Sequence, residues 1–437
     1  MTDCNPQQLS FFRCRGRVVE ARFEGGDITS NGGVLLLRQA DRRLGLTERV
    51  AQALCDSRRK ASCRHDALSM VRQRVYGLAL GYEDLNDHGE LRRDLALQTA
   101  VDRDGALASA PTLCRFERRA GREEALRLHE VLMEQFIASH ERPPRRLILD
   151  FDATDDRVHG RQVGRHYHGY YRHYCFLPLY VFCGNRLLAA YLRPGKAGAA
   201  KHAWAVLALL VKRLRKTWPK VKITFRGDSG FCRWRMLWWC ERNGVDYIVG
   251  TARNNCLAAL AKPLVIQAQD AYEDSGKKQR LFDAFFYAAG TWDKPRRVIV
   301  KAEHTAKGSN PRYVVTNLKG PPQLLYDTLY CARGDMENRI KEQQLHLFAD
   351  RTSCHDWWAN QYRVLLSAVA YVLLDAIRRI ALKATELACA YVGTIRLKLL
   401  KIGAVILRNT RRVRFLLSSA HPRQNLFFLV AARLNPG

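Results

Sequence analysis

The chain has 437 residues, enough for two or three domains with substantial cores. Hydrophobic residues make up 47%, which excludes a mainly disordered protein. Lys and Arg number 72 against 42 Asp and Glu, a net charge of +30 spread along the whole chain; this favours a polyanion partner, nucleic acid at this size, over a merely solvated basic face.

The start, Met1-Thr-Asp-Cys-Asn-Pro, is polar and carries no apolar signal core. Segment 1–142 reads as a mostly helical DNA-binding region. Leu35, Leu36, Leu37 and Ala40 precede Leu44-Gly-Leu46, and Val71, Val75, Leu78 and Leu80 recur at helical spacing. Thr112-Leu-Cys-Arg-Phe-Glu-Arg-Arg119 suits either a helix lying on phosphates or an ordinary amphipathic helix. Arg142-Pro-Pro-Arg-Arg146 marks a hinge.

Segment 143–252 changes character. Leu147–Asp152 is a short apolar run ending in acid. Runs 175–183 and 187–192 flank Gly184-Asn185, the signal of a β-hairpin. Segment 200–217 is helical, with Trp204, Leu207, Leu210, Val211 and Leu214 on one stripe and Pro219 after it. A strand at 221–225, a helix at 234–243 and a strand at 247–251 follow. The order is three strands, helix, strand, helix, strand. Segment 253–318 reads as a β-rich insertion, carried by 281–287, 297–301 and 313–316. Segment 319–382 returns to helix. Its apolar run Val364–Leu374 is too short to span a bilayer. Segment 383–437 reads as a basic helical region in which Arg396, Lys398, Lys401, Arg408, Arg411, Arg412 and Arg414 face DNA. The 13 Cys form no CxxC pair, so reduced cytosolic thiols are expected, with no membrane association.

Three carboxylates stand where a metal-dependent phosphoryl-transfer enzyme needs them. Asp152 ends the run Leu147-Ile-Leu-Asp-Phe, and Asp228 follows Ile223-Thr-Phe-Arg-Gly. Glu337 lies on a helix between Arg333 and Lys341, each four residues away and on its face. Carboxylates suit hard cations such as Mg²⁺, and strand ends hold them rigidly while leaving them accessible. Taken singly, each acid is an ordinary loop cap or ion pair; the order of all three on a chain of +30 reverses that. Asp150-Phe-Asp152-Ala-Thr154 also fits the DxDxT motif of haloacid-dehalogenase-like phosphatases. That fold needs alternating strands and crossover helices, and the hairpin through Gly184-Asn185 argues against it. His166, His168 and His173, amid Tyr167, Tyr170 and Tyr171, read as packing or DNA contact before a metal site. Trp357-Trp358 reads as buried.

The order of strands and acids is that of a ribonuclease-H-like mixed sheet flanked by helices. The residues resemble the DDE-type transposases of bacterial insertion sequences, and in particular insertion-sequence family thirteen-eighty. The stretches carrying this are Leu149–Asp156 with His159-Gly-Arg-Gln162, Leu192-Arg-Pro-Gly195, Arg226–Phe231, Tyr330–Lys341, Asp350-Arg-Thr-Ser353 and Asn360-Gln-Tyr-Arg363. The resemblance implies that Asp152, Asp228 and Glu337 hold Mg²⁺, with Mn²⁺ able to substitute. Its D-x-T pattern aligns with Asp152, although Asp150 shares the same strand face. Tyr330, Arg333 and Glu337 match a Y-x2-R-x3-E-x6-K signature, and Gln344 stands where the signature has Lys. Tyr330, Arg333, Lys341 and Gln344 are then the expected DNA contacts, with Lys341 standing in for the missing cation. The implied activity is cleavage of element ends by metal-activated water, then attack of the freed 3′-hydroxyl on target DNA. The implied partners are double-stranded DNA, at the terminal inverted repeats and the target, and a second subunit in a synaptic homodimer; the implied location is the cytoplasm, on the nucleoid. A nuclease without strand transfer and an inactive end-binding repressor are the alternatives.

Overall fold

A computed structural model describes residues 9–56, 58–59 and 63–435. Residues 1–8, read above as lacking a signal core, lie outside them. Two compact units result: Met1–Phe116 with Leu373–Gly437, and Glu117–Val372.

The second unit is built on a large mixed sheet. Helix α1 (Arg122–Ala138) leads to strand β1 (Arg146–Ala153), then β2 (Leu179–Cys183) and β3 (Arg186–Tyr191). Helix α2 (Ala203–Thr217), β4 (Lys222–Gly227), helix α3 (Trp234–Arg242) and β5 (Asp246–Thr251) follow. β1, β2 and β3 form an antiparallel meander, whereas β4 runs parallel to both β1 and β5. The spatial order of these five is 3-2-1-4-5. The parallel neighbours use the crossover helices α2 and α3, whose buried stripes Leu207, Leu210, Val211, Leu214 and Met236, Leu237, Cys240 cover the sheet. Strands covered in this way read as near-continuous apolar runs. Leu147, Leu149 and Phe151, with Ile223 and Phe225, are buried accordingly.

Two expectations are corrected here. The strand expected over 175–183 breaks at Leu177-Pro178, because Pro cannot donate to a ladder; Cys175 and Phe176 belong instead to strand His173–Phe176 of a separate small sheet. Segment 253–318 begins with a helix, α4 (Asn255–Ser275), which the sequence reading missed. Its signals are an Asn254 cap accepting from Leu257 N at 2.9 Å and a left-handed Gly276 beyond its end. The strands expected there do form: β6 (Gln279–Tyr287), β7 (Arg296–Thr305) and β8 (Arg312–Thr316). They extend the main sheet, since β8 pairs antiparallel with β5 and β7 with β8. The compact units therefore divide the chain differently from the five sequence segments. A continuous helical run over 322–346 includes helix α5 (Gly334–Lys341).

The first unit is mostly helical but carries strands. Hairpin 404–417 pairs with Ile28–Thr29 in a three-stranded sheet. The expected all-helical C-terminus is corrected: Ala404-Val-Ile-Leu-Arg408 and Val413–Leu417 are β-branched and apolar runs around an Asn409-Thr-Arg-Arg412 turn. Arg408, Arg411, Arg412 and Arg414 remain exposed on it. Arg396 does not: it is buried, and it donates to the carbonyls of Ala79 at 2.9 Å and Leu78 at 3.1 Å. Burial pulls its pKa down to about 10. Among the described residues no helix is long and apolar enough to cross a membrane.

Within the sheet, Asp150 on β1 and Arg226 on β4 stand in register with both side chains buried. Arg226 Nη2 donates to Asp150 Oδ2 at 2.7 Å, and its Nε donates to the other oxygen. Removing one partner of such a pair strands a buried charge. Arg226→Met is therefore expected to cost about 3–5 kcal/mol in urea unfolding at neutral pH. The cost should shrink toward pH 4, where the orphaned carboxyl protonates, and Arg226→Met with Asp150→Leu should recover most of it.

Candidate active site

Asp152 sits two residues beyond Asp150, at the end of β1 where the apolar run gives way to a loop. Asp228 follows β4 directly, and its Oδ1 accepts from Gly230 N at 2.9 Å, capping the short turn Ser229–Phe231. Glu337 lies on α5. Met336 and Ile340 form the buried stripe of that helix, which leaves Glu337 exposed one step round it. The sheet's parallel strands and this helix thus bring the acids from 152, 228 and 337 toward one place.

Arg333 stands among them. Its Nη1 donates to Asp152 Oδ2 at 3.1 Å and its Nη2 to Glu337 Oε1 at 2.8 Å. Burial works against the Arg333 charge, but Asp152, Tyr330, Glu337 and Asp228 outweigh it and hold the pKa above its ordinary value. Burial pushes Asp152 up to about 6; Arg333 opposes that, while the negative charges of Asp228 and Glu337 add to it. Both groups feel all the other acids, so the three carboxylates share one field. Asp150 does not join them. Burial raises its pKa despite Arg226, and both its oxygens accept from that guanidinium.

The helical run is pinned from below. Arg226 Nη1 donates to the Leu329 carbonyl, and its Nη2 lies 3.4 Å from that of Ala332. Tyr330 enters where Gly250 on β5 leaves room: a Cβ there would lie 2.6 Å from the Tyr330 hydroxyl and 3.0 Å from Ser229 N. Burial raises the Tyr330 pKa, with Arg333 opposing and Asp228 adding. Lys341 is exposed at the end of α5. Gln344, expected on DNA, turns inward instead. Its Nε2 donates to the Asp155 carbonyl at 3.0 Å and to Asp156 Oδ1 at 3.1 Å. Trp357 packs edge-on against Phe176 at 5.3 Å, and His173 Nε2 lies 2.7 Å from Asp155 Oδ2.

Sequence reasoning missed Arg226 and Gly250. The available signal for Arg226 was a cation inside the apolar run Ile223-Thr-Phe-Arg; nothing in the sequence marked Gly250.

The trio offers oxygen donors alone, the chemistry that Mg²⁺ takes. Among the described residues no three His, Cys, Asp or Glu side chains form a ready-made cage. Arg333 supplies the positive charge between Asp152 and Glu337. The donor chemistry therefore fits a hard divalent ion, in competition with Arg333.

The raised Asp152 pKa carries a stability consequence. A carboxyl that binds its proton more tightly in the folded state destabilises the fold as pH rises from about 4 through about 6. In chelator-containing buffer, Asp152→Asn is therefore expected to gain about 1–3 kcal/mol on the wild type between pH 4 and pH 7. Parallel melting curves across that range check it; a constant difference would refute it.

The chain matches the model of the family described as transposase DDE domain group 1 over residues 11–436. Among solved structures, the piggyBac transposase in a synaptic complex with hairpin DNA is similar at 10% identity and a TM-score of 0.44, over 84% of this chain and 80% of that one. No curated protein matches the chain.

Proposed function

The chain belongs to the transposase DDE domain group 1 family, and we propose that it binds the ends of an insertion sequence, cleaves them and joins the 3′-hydroxyl ends to target DNA. Asp152, Asp228 and Glu337 are the acids of that reaction. The observation carrying this assignment is their convergence on Arg333, which donates hydrogen bonds to two of them and lies in the field of the third. The strand order 3-2-1-4-5, with β2 antiparallel and β4 parallel to β1, supports a ribonuclease-H-like core. The quoted motifs support insertion-sequence family thirteen-eighty.

A divalent cation, Mg²⁺ with Mn²⁺ as substitute, would be held by the three carboxylates and supply charge neutralisation and an activated water. The protein's own groups do the positioning. Asp152 and Asp228 project from rigid strand ends, and Glu337 is presented by a helix that Arg226 fixes through Leu329 and Ala332. Arg333, a planar fork, is placed to pair with a phosphodiester when it leaves a carboxylate. Half-buried Tyr330 lies within the field of Asp228, and exposed Lys341 stands four residues beyond Glu337 on α5, where both would contact DNA. Asp150 is a positioning residue that acts through Arg226. The +30 charge supplies affinity for both DNA segments. Two ends held together imply a homodimer in the synaptic complex, acting on the nucleoid in the cytoplasm.

Mg²⁺-dependent nicking and joining of an end-bearing DNA by the purified chain tests the whole reading. Asp152→Asn, Asp228→Asn and Glu337→Gln should each abolish cleavage while DNA affinity and cooperative melting persist. Arg333→Ala should lose more cleavage than Lys341→Ala, because Arg333 touches two of the acids and Lys341 touches none in the structure. Cleavage without joined products would leave a nuclease, and normal cutting by Asp152→Asn would place the first acid elsewhere.

Salt dependence tests the charge argument. Each phosphate neutralised by Lys or Arg releases counterion, so duplex affinity should fall by about 10³-fold or more between 50 and 200 mM salt for roughly six to ten phosphate contacts. A flat salt response would remove nucleic acid as the partner.

A further inference from the structure

We propose that hairpin 166–176 is a stacking platform for unpaired nucleobases of the DNA strand at the acid site, a proposal that rests on the transposase reading above. Strands His166–His168 and His173–Phe176 pair antiparallel, with Tyr167 opposite Tyr174 and His168 opposite His173. Alternation sends these two pairs to opposite faces. The histidine face turns inward: His173 meets Asp155 at 2.7 Å, and Cys175 is buried. The tyrosine face turns outward. Tyr167 is 58% exposed, Tyr174 47%, and Tyr170 at the tip 84%.

These rings stand on a firm base, so their exposure is not that of a frayed loop. Gly195 lies so close beneath that a Cβ would fall 2.2 Å from the Cys175 carbonyl and 2.8 Å from that of His166. Gly164, at φ +87, allows the ring of Trp357 to approach where a Cβ would meet it at 2.5 Å. Buried Arg193 donates from Nε to the Leu177 carbonyl at 2.9 Å, and Leu177 N donates to the Arg193 carbonyl at 2.8 Å. The exposed rings are also ordered among themselves. Tyr167 and Tyr174 meet edge-on at 5.7 Å, Tyr170 and Tyr171 at 5.0 Å, and the Arg165 guanidinium covers the Tyr174 ring at 4.7 Å.

The chain beyond Asp152 pairs with the platform, Asp156 opposite Phe176 and Arg157 opposite Cys175, and Asp155 ties it down through His173. Tyr171, behind the tip, has its hydroxyl pushed up to about 12 by burial, with Asp155 and Asp152 adding to it. Cations flank the rings along the chain: Arg157, Arg161 and Arg172 are exposed, and no Asp or Glu occurs in the sequence between Asp156 and Asp228. Exposed aromatic rings interleaved with cations are the chemistry that binds single strands, the rings taking base faces and the cations the backbone. A paired duplex offers no free base face, so the ligand is an unpaired strand.

The test uses the full chain and two probes, a fluorescent oligothymidylate of about 16 nucleotides and a random-sequence duplex of the same length. Tyr170→Ala with Tyr174→Ala should bind the single strand on the order of ten-fold more weakly, with duplex affinity and melting temperature unchanged. Tyr170→Phe with Tyr174→Phe keeps the rings and should keep the affinity. The proposal is overturned by an undiminished single-strand affinity in the Ala variant or by equal losses on both probes. Loss of self-association in place of DNA affinity would also overturn it, marking the face as an interface between copies. Wild-type protein that binds neither probe would sink the transposase reading itself, an outcome distinct from these.

Discussion

The buried pair Asp150–Arg226 is the constraint on which the site depends. Taking two charges out of water is costly unless each lone pair and proton finds a partner. Both oxygens of Asp150 accept from Arg226, and two further N–H groups of Arg226 point to the Leu329 and Ala332 carbonyls. One guanidinium therefore joins β1, β4 and the helical run over 322–346. Every proposed functional acid lies close by along the chain. Asp152 is two residues from Asp150, Asp228 two from Arg226, and Glu337 five from Ala332, with Arg333 directly after that alanine. The carbonyls it uses lie at the π-helical stretch Leu325–Tyr330 and the turn Cys331–Arg333, ahead of the regular helix bearing Glu337. Departures from regular helix of this kind are common at functional sites.

A second consequence concerns charge balance. Three carboxylates drawn together in a partly buried place repel one another, and the raised pKa of Asp152 records that repulsion on top of burial. Arg333 relieves it by bridging Asp152 and Glu337. The same side chain is the proposed phosphate clamp, so a divalent ion held by these carboxylates would compete with Arg333 for their oxygens. Lys could not fill this role equally, because a point charge cannot address two carboxylates through a planar fork.

Much of this was readable in the sequence because it rests on short-range pattern. The apolar run ending at Asp152, the Gly184-Asn185 turn and the Leu207–Leu214 stripe each report a local period, and each element formed where that period placed it. The failures are equally physical. Helix α4 was hidden behind the β-rich runs that follow it, and hairpin 404–417 behind a cationic pattern that suits a helix face as well as a strand. The run 175–183 looked continuous because its one breaker, Pro178, sits between apolar neighbours. The site's acids were visible as strand and helix termini, but their anchors were not. Arg226 and Gly250 act through residues more than 75 positions away in sequence, as with Leu329 and Tyr330. No local period encodes such a contact.

Gln344 shows how a local departure follows from its surroundings. Its amide reaches Asp156, a fully buried acid whose pKa burial holds well above the ordinary carboxylate range, with Gln344 opposing and Asp350 and Asp155 adding. Among the described residues, Asp156 Oδ2 and the hydroxyl of buried Tyr180 have no hydrogen-bond partner. Burial therefore penalises charge on Asp156, and the Gln344 amide meets it without adding a charge of its own, donating to one oxygen and to the Asp155 carbonyl. A lysine at 344 would carry an ammonium into the same buried place, where the cost of desolvating two charges would have to be offset by an ion pair. The glutamine also ties the end of the helical run to the segment just after Asp152. It thus secures the far side of the site that Arg226 secures on the near side, while Lys341 stays exposed at the end of α5.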